Sequence, residues 1–147
     1  MLNTGDRMPA FRVQDQDGNE VTDKDFEGKK IGLYFYPKDS TPGCTAEACS
    51  LRDNFGELRA AGYEVYGVSK DSAASHTRFR EKYSLPFTLL SDPSTEMLRA
   101  FGAWGEKKMY GKVTEGTLRK TFIISETGTI ERIIDKVDTK NHAAQIL

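Results

Sequence analysis

The chain has 147 residues, of which 37% are hydrophobic and 29% are charged, and its formal net charge is -1. This length fits one globular domain with a core of its own, and the composition excludes a disordered chain. The near-zero charge gives no reason to expect nucleic acid or an anionic membrane as the main partner, and no apolar run approaches the roughly 20 residues that span a bilayer. We therefore expect a single domain over residues 1–147.

The elements predicted along the chain alternate between strands and helices. Residues 11–22 have the pattern of a β-hairpin, with Asp17 and Gly18 in its turn. The elements that follow are strand 29–37, helix 43–60, strand 63–69, helix 72–83, strand 87–92, helix 94–101, a second hairpin of strands 118–125 and 129–137, and a last helix beginning at residue 139. This order predicts an α/β, thioredoxin-like fold, in which helices flank a mixed central β-sheet and an N-terminal β-hairpin forms an extension.

The N-terminal segment, MLNTGDRMPAFRVQDQDG, has no basic stretch followed by an apolar one, so we expect no secretory signal. The default expectation is a cytoplasmic location. In that reducing compartment, neighbouring cysteines are more often reactive than structural.

Cys44 and Cys49 are the only two cysteines of the chain, and both lie in the predicted helix 43–60. Cys44 begins the apolar stripe that would face the sheet, whereas Cys49 lies on a flank shared with Arg52 and Asp53. In an ideal helix their Cα atoms would be about 8–9 Å apart, beyond the roughly 7 Å that a disulfide spans. The two sulfurs can therefore bond only if the first turns of the helix melt.

Several interpretations of this cysteine pair are open. Geometry and compartment disfavour a structural disulfide, and a zinc site lacks a second ligand pair, because His76 and His142 are far away in the sequence. Two inert cysteines in the core remain an alternative, since free cysteine is commonly buried.

The residues around Cys44 favour a reactive thiol. Thr41 can act as the N-cap of the helix, Pro42 suits its first position, and Gly43 leaves the backbone bare. Cys44 then lies in the first turn, where unpaired N–H groups and the helix dipole stabilise a thiolate. A nearby cation would add to this effect, and the candidates are Arg52, Arg119, Lys29, Lys30 and Lys38.

The stretch YFYPKDSTPGCTAEACSLRD resembles the active-site segment of the peroxiredoxins, specifically of the bacterioferritin comigratory protein or peroxiredoxin Q group. Pro37, Thr41 and Cys44 match the family pattern P-x3-T-x2-C. Cys49 matches the group's frequent second cysteine, and Arg119 matches its distal arginine. The likeness extends from GDRMPAFRVQDQDG to the second hairpin, which is nearly the whole chain.

The resemblance implies a thioredoxin-fold peroxidase that reduces hydrogen peroxide and organic hydroperoxides. The Cys44 thiolate would attack the peroxide and become a sulfenic acid, Cys49 would resolve it as an intramolecular disulfide, and thioredoxin would restore the two thiols. No cofactor and no metal are implied. A monomer is the simplest expectation for an intramolecular partner thiol, and a homodimer is the alternative.

The resemblance also implies roles for the residues around the sulfur. Thr41 and the backbone N–H groups at Gly43 would hold the peroxide oxygens, and Arg119 would stabilise the thiolate and the charge that develops on the O–O bond. Pro37 would limit the access of solvent to Cys44.

Other cysteine chemistries fit the sequence less well. A phosphatase or arsenate reductase loop, C-x5-R, would need an arginine where Ser50 stands, and a thioredoxin-like oxidoreductase would need C-x-x-C. A peroxide-sensing module that does not turn over efficiently remains open.

Four further features have ordinary explanations in the sequence. Glu47 is either part of the active-site network or a plain first-turn helix acid. We expect Trp104 in a loop that packs on the core, the run GEKKMYGK on an exposed face, and His76 solvated on a polar helix.

Overall fold

A seven-stranded mixed sheet is the centre of the computed structural model, which describes residues 2–147 apart from the side chain of Met109. The strands of this sheet and of a separate hairpin are β1 (Arg12–Asp15), β2 (Glu20–Thr22), β3 (Lys30–Phe35), β4 (Tyr63–Ser69), β5 (Thr88–Ser91), β6 (Trp104–Met109), β7 (Lys112–Thr117), β8 (Lys120–Ile124) and β9 (Ile130–Ile134). The helices are α1 (Pro42–Asp53), α2 (Phe55–Ala60), α3 (Ala73–Tyr83), α4 (Glu96–Ala100) and α5 (His142–Ile146). No helix among these residues is long and apolar enough to cross a membrane.

The strand order β2-β1-β5-β4-β3-β8-β9 explains how distant parts of the chain meet. Strands β3, β4 and β5 are parallel, as helical crossovers require, and β1 and β8 join them antiparallel at either side. Because β8 runs against β3, its first residue, Lys120, pairs with Phe35, the last residue of β3. Arg119 therefore reaches the same edge of the sheet as the loop that leads from β3 into α1.

The alternation of side chains along β3 divides the core into two layers. Ile31, Leu33 and Phe35 belong to one buried cluster, whereas Tyr34 and Tyr36 belong to the other, which lies under α1 and α5. Cys44 is part of this second cluster and is 1% exposed. The start of α1 is therefore at the edge of a large aromatic core.

The expected thioredoxin-like architecture is confirmed, including the N-terminal hairpin of β1 and β2. The predicted helix 43–60 is interrupted: α1 ends at Asp53 and α2 begins at Phe55. Asn54 leaves helical geometry between them, with φ -113° and ψ 18°, and its side-chain amide donates to the carbonyl of Ser50. An asparagine side chain that competes for backbone groups explains the break.

Two expectations about single segments are wrong. Trp104 does not lie in a loop: it begins β6, which pairs with β7 through a turn at Tyr110 and Gly111, and the side chain of Trp104 packs on the core. Both turn residues have positive φ, 53° and 77°, as the tight turns of hairpins require. The two strands lack the apolar alternation that marks half-buried strands, because most of this hairpin, apart from Lys107 and its two ends, is exposed. This exposure agrees with the exposed face expected for the run GEKKMYGK.

His76 is not solvated: it lies on the buried side of α3, and its imidazole is completely buried. Its Nδ1 lies 2.7 Å from the carboxylate of Asp39, and its Nε2 lies 2.9 Å from the carbonyl oxygen of Leu90. The polar composition of α3 concealed this contact, because the partners of His76 come from a loop and a strand that are distant in the sequence.

We predict opposite effects for two Gly→Ala substitutions. A Cβ at Gly67 in β4 would lie 2.8 Å from Cζ of the buried Tyr34 and 2.9 Å from Cδ2 of Leu89, so Gly67→Ala should destabilise the fold by about 1–3 kcal/mol. Gly56→Ala in α2 meets nothing within 4 Å and should be stabilising by up to about 1 kcal/mol. Urea unfolding followed by circular dichroism measures both. Equal stabilities for the two variants would contradict the close packing inferred around Tyr34.

Candidate active site

The first turn of α1 is built by the residues that precede Cys44. Thr41 occupies the N-cap with extended backbone angles and Pro42 is the first helical residue, as predicted. The Thr41 hydroxyl does not cap the helix: it donates to the carbonyl of Lys38 at 2.8 Å instead. The N–H groups of the first turn are therefore not capped by this side chain.

Arg119 is the cation that the fold brings to Cys44. Its Nη2 lies 3.3 Å from Cys44 Sγ, and its Nη1 donates to Glu47 Oε1 at 2.6 Å. Burial works to lower the pKa of Arg119, but Glu47 and Cys44 outweigh burial and raise it above its ordinary value. One planar guanidinium thus binds the thiol sulfur and the carboxyl group one turn further along α1.

The other candidate cations have different partners. Arg52 donates to Asp53 and to the carbonyl of Tyr83. Lys29 pairs with Glu64, and Lys30 lies over the ring of Tyr63. Lys38 is exposed. No contact with Cys44 is recorded for these four side chains in the described residues.

Glu47 belongs to the site and is not an ordinary first-turn acid. Its side chain is completely buried and bridges to Arg119. Burial raises the pKa of Glu47 to about 7, although Arg119 acts in the opposite direction. Burial therefore favours the neutral form of this carboxyl group more than water does, and Arg119 favours the charged form.

His142 is the residue of this cluster that the sequence did not reveal. It begins α5, is completely buried, and places Nε2 at 2.7 Å from Thr121 Oγ1 and 3.5 Å from Glu47 Oε2. At that longer distance the two groups interact electrostatically but do not form a hydrogen bond, and Glu47 Oε2 has no hydrogen-bond partner among the described residues. Since α5 is separated from α1 by most of the chain, no local pattern could have indicated the contact.

A second buried network holds the loop before α1. The carboxylate of Asp39 accepts hydrogen bonds from Tyr36 Oη at 2.5 Å and Ser75 Oγ at 2.8 Å, and it faces His76 Nδ1. The backbone N–H of Asp39 donates to Asp71 Oδ2 at 2.9 Å. These contacts tie the segment that carries Thr41 to α3 and to the end of β4.

Cys44 and Cys49 are both free thiols, and the unbroken helix 42–53 runs through both. Cys44 is buried beside Arg119, whereas Cys49 is half-buried on a different side of α1. Among residues 2–147, leaving aside Met109's side chain, no group of three His, Cys, Asp or Glu side chains is arranged to hold a metal ion.

The chain has relatives of similar sequence over nearly its whole length. A family model described as AhpC/TSA family matches residues 4–133. Peroxiredoxin Bcp of Escherichia coli K12 is 47% identical over 146 residues, which cover 99% of this chain and 94% of that protein.

Two solved structures are similar throughout. A cysteine-to-serine mutant of Xanthomonas campestris peroxiredoxin Q has a TM-score of 0.86 and 38% identity, covering 92% of this chain and 87% of that one. A cysteine-to-serine mutant of Xylella fastidiosa PrxQ has a TM-score of 0.91 and 31% identity, covering 99% of this chain and 93% of that one.

We predict that Glu47 makes the free energy of unfolding depend on pH. The pKa of Glu47 is about 7 in the folded protein and near 4.5 without the fold, so its contribution is fully present below pH 4.5 and is lost as the pH rises through 7. The loss should be about 3 kcal/mol. Urea unfolding at pH 5 and pH 8 should therefore show Glu47→Gln gaining stability relative to the wild type as the pH rises.

Arg119→Gln is the matched control for this measurement. Arg119 lowers the pKa of Glu47, so its removal should extend the loss of stability to higher pH. A stability difference between Glu47→Gln and the wild type that stays constant from pH 5 to pH 8 would show that Glu47 does not titrate in this range.

Proposed function

The chain belongs to the AhpC/TSA family and is a peroxiredoxin of the Bcp and PrxQ group, and from this membership we propose how its residues reduce peroxides. The family implies a thiol-dependent peroxidase with a peroxide as substrate. The observation that carries the assignment of residues is the Arg119 guanidinium, which lies 3.3 Å from Cys44 Sγ at the first turn of α1.

Cys44 is the proposed peroxidatic cysteine. The positive guanidinium and the N–H groups of the helix start favour the thiolate, which is the nucleophilic form. The sulfur attacks the terminal oxygen of the peroxide, the O–O bond breaks, and water or an alcohol leaves after taking up a proton. Cys44 is left as a sulfenic acid.

Three residues of the loop and helix start would bind the peroxide. The backbone N–H groups at Gly43 and Cys44 would donate to its oxygens, and the Thr41 hydroxyl, whose hydrogen goes to the Lys38 carbonyl, would accept a hydrogen bond from the peroxide O–H. Pro37 would shield the sulfur from solvent. A Cβ at Gly43 would lie 3.4 Å from Arg119 Nη2, so glycine leaves the guanidinium room beside the backbone. Arg119 stabilises the charge that develops as the O–O bond lengthens.

Cys49 is the proposed resolving cysteine. Its thiol condenses with the Cys44 sulfenic acid, one water leaves, and an intramolecular disulfide forms. The intact helix keeps the two sulfurs apart, so this step requires the first turns of α1 to unfold locally. A dithiol reductant, which we propose to be thioredoxin, then reduces the disulfide by exchange.

The same proposal extends to the oligomeric state and the cellular location of the protein. We propose that the chain acts as a single domain over residues 1–147 and as a monomer, because the proposed resolving thiol lies in the same chain as Cys44. A cytoplasmic location would supply thioredoxin and keep both cysteines reduced between turnovers.

We predict different losses of activity for the two cysteines. In an assay that couples hydrogen peroxide or an organic hydroperoxide to thioredoxin, its reductase and a nicotinamide cofactor, Cys44→Ser should abolish turnover. Cys49→Ser should allow one fast oxidation of Cys44 and then stop, because the sulfenic acid has no partner thiol. Stopped-flow mixing with one equivalent of peroxide measures that first step.

Two results would contradict this assignment. Steady thioredoxin-linked turnover by Cys44→Ser would remove it as the nucleophile. Stoichiometric oxidation of the wild type without any turnover would identify a peroxide sensor instead of a peroxidase.

We also predict that disulfide formation unfolds the start of α1. In the oxidised protein, amides from about Thr41 to Cys49 should exchange with solvent faster and the helical circular dichroism should fall, and reduction should reverse both. Cys49→Ser is the control, since it should keep its helix under the same oxidant. Identical exchange in both redox states of the wild type would disprove local unfolding.

A further inference from the structure

We infer that His76 is a positioning residue for the reaction at Cys44: its buried imidazolium, paired with Asp39, holds the loop before α1 and thereby favours the folded start of that helix. The effect on turnover rests on the proposed function, in which peroxide reduction uses the folded start of α1 and disulfide formation needs it unfolded. The structural part, a charged pair that holds the loop, does not depend on that function.

The partners of the two ring nitrogens identify the hydrogens on His76. Nε2 lies 2.9 Å from the carbonyl oxygen of Leu90, which can only accept, so Nε2 carries a hydrogen. Nδ1 lies 2.7 Å from Asp39 Oδ2. Both oxygens of that carboxyl group already accept, Oδ1 from Tyr36 Oη at 2.5 Å and Oδ2 from Ser75 Oγ at 2.8 Å. Because such hydrogen bonds stabilise a carboxylate, the hydrogen between Asp39 and His76 belongs to Nδ1, and the ring is positively charged.

The pair of His76 and Asp39 is withdrawn from water, since the two side chains are 0% and 3% exposed. Buried opposite charges are tolerated when the remaining hydrogen-bonding atoms are also satisfied, and loss of one partner leaves an uncompensated charge. Here both ring nitrogens and both carboxylate oxygens have hydrogen-bond partners. Removing the imidazole would therefore leave a buried carboxylate without the cation that compensates it.

The loop that Asp39 holds contains a strained residue. Ser40 has φ 64°, in the left-handed region that residues with a Cβ rarely adopt. Such a backbone persists only where its surroundings over-determine it. Asp39, the residue before Ser40, is bound through its carboxylate and also through its backbone N–H, which donates to Asp71 Oδ2 at 2.9 Å. These contacts maintain the strained backbone of Ser40.

The strained residue lies directly before the N-cap of α1. The carbonyl of the N-cap, Thr41, accepts the backbone N–H of Thr45 at 2.8 Å, which is the first hydrogen bond of the helix. If the contacts of Asp39 are lost, Ser40 can relax, and the Thr41 carbonyl then leaves the position from which the helix starts. The charged pair therefore favours the folded first turn that carries Cys44.

The two chemical steps of the proposed cycle make opposite demands on this turn. Oxidation of Cys44 by peroxide uses the folded turn, whereas condensation of Cys49 with the sulfenic acid needs the turn to open. Loss of the charged pair should therefore speed the second step. It should slow the first step once the open form is appreciably populated. His76 thus favours the state that reacts with peroxide without contacting the sulfur.

The first test observes the ring and the backbone amides by NMR, with the His76 signals assigned through their loss in His76→Leu. Long-range proton–nitrogen spectra at pH 7 should show hydrogen on both ring nitrogens of the wild type. Asp39→Asn keeps the size of the side chain but removes its charge, so the ring should then carry one hydrogen. In both variants the amides from Thr41 to Thr45 should exchange faster by about tenfold or more, as expected for the loss of one hydrogen bond to a charged group.

Leu98→Ala is the matched control for these variants, because Leu98 is completely buried but belongs to the other layer of the core. It should lower the stability of the whole domain without accelerating the local opening of the turn. Ser75→Ala removes one donor to Asp39 and is the milder variant to use if His76→Leu does not fold. It should shift the exchange in the same direction as Asp39→Asn.

The second test separates the two steps by stopped-flow mixing with one equivalent of hydrogen peroxide. In Asp39→Asn, disulfide formation should speed up by the same factor as amide exchange, because both processes need the same opening of the turn. Oxidation of Cys44 should be no faster than in the wild type. A defect in packing alone, as in Leu98→Ala, should leave the rate of disulfide formation unchanged.

A wild-type His76 ring with a single hydrogen at pH 7 would overturn the inference, as would equal amide exchange in Asp39→Asn and Leu98→Ala. Faster exchange with an unchanged rate of disulfide formation would overturn the part that concerns turnover. Faster exchange together with a Cys44 that peroxide does not oxidise would sustain the positioning of the loop and refute the proposed function instead.

Discussion

One partly buried cation shared by two potential anions is the constraint on which this site depends. The guanidinium of Arg119 lies between Cys44 Sγ and Glu47 Oε1, and its planar fork can serve both because they stand one turn apart on the same helix. A charge partly withdrawn from water is costly unless it is compensated. The fold supplies the compensation from α1 and supplies the cation from the connection between β7 and β8, which is remote in the sequence.

Once the strands pair, the sheet register brings Arg119 close to the loop that leads from β3 into α1. Lys120 pairs with Phe35, so the residue before β8 and the residues after β3 leave the sheet at one edge. The loop that follows β3 is then held by Asp39, whose carboxylate and backbone N–H are bound to α3 and to the end of β4. Backbone pairing sets the position of Arg119, and a buried polar network sets the position of the loop that precedes Cys44.

Local sequence patterns predicted the parts of the structure that depend on local physics. The strand–helix alternation, the N-terminal hairpin and the start of α1 at Pro42 follow from periodicity, turn residues and cap residues. Arg119 could be proposed only through the resemblance to a family, since spacing alone did not distinguish it from Arg52 or the lysines. His142 and the burial of His76 were beyond prediction, because their partners lie on elements that only the tertiary fold brings together.

The interruption of the helix at Asn54 limits how far local unfolding of α1 can spread along the chain. The backbone hydrogen bonds of α1 end there, while Leu58 of α2 is anchored separately in the core. In the proposed cycle, the energetic cost of reaching the disulfide is therefore confined to a short stretch between two fixed points, the Asp39 network and Asn54. The rest of the domain stays folded and provides the packing surface on which that stretch refolds after each turnover.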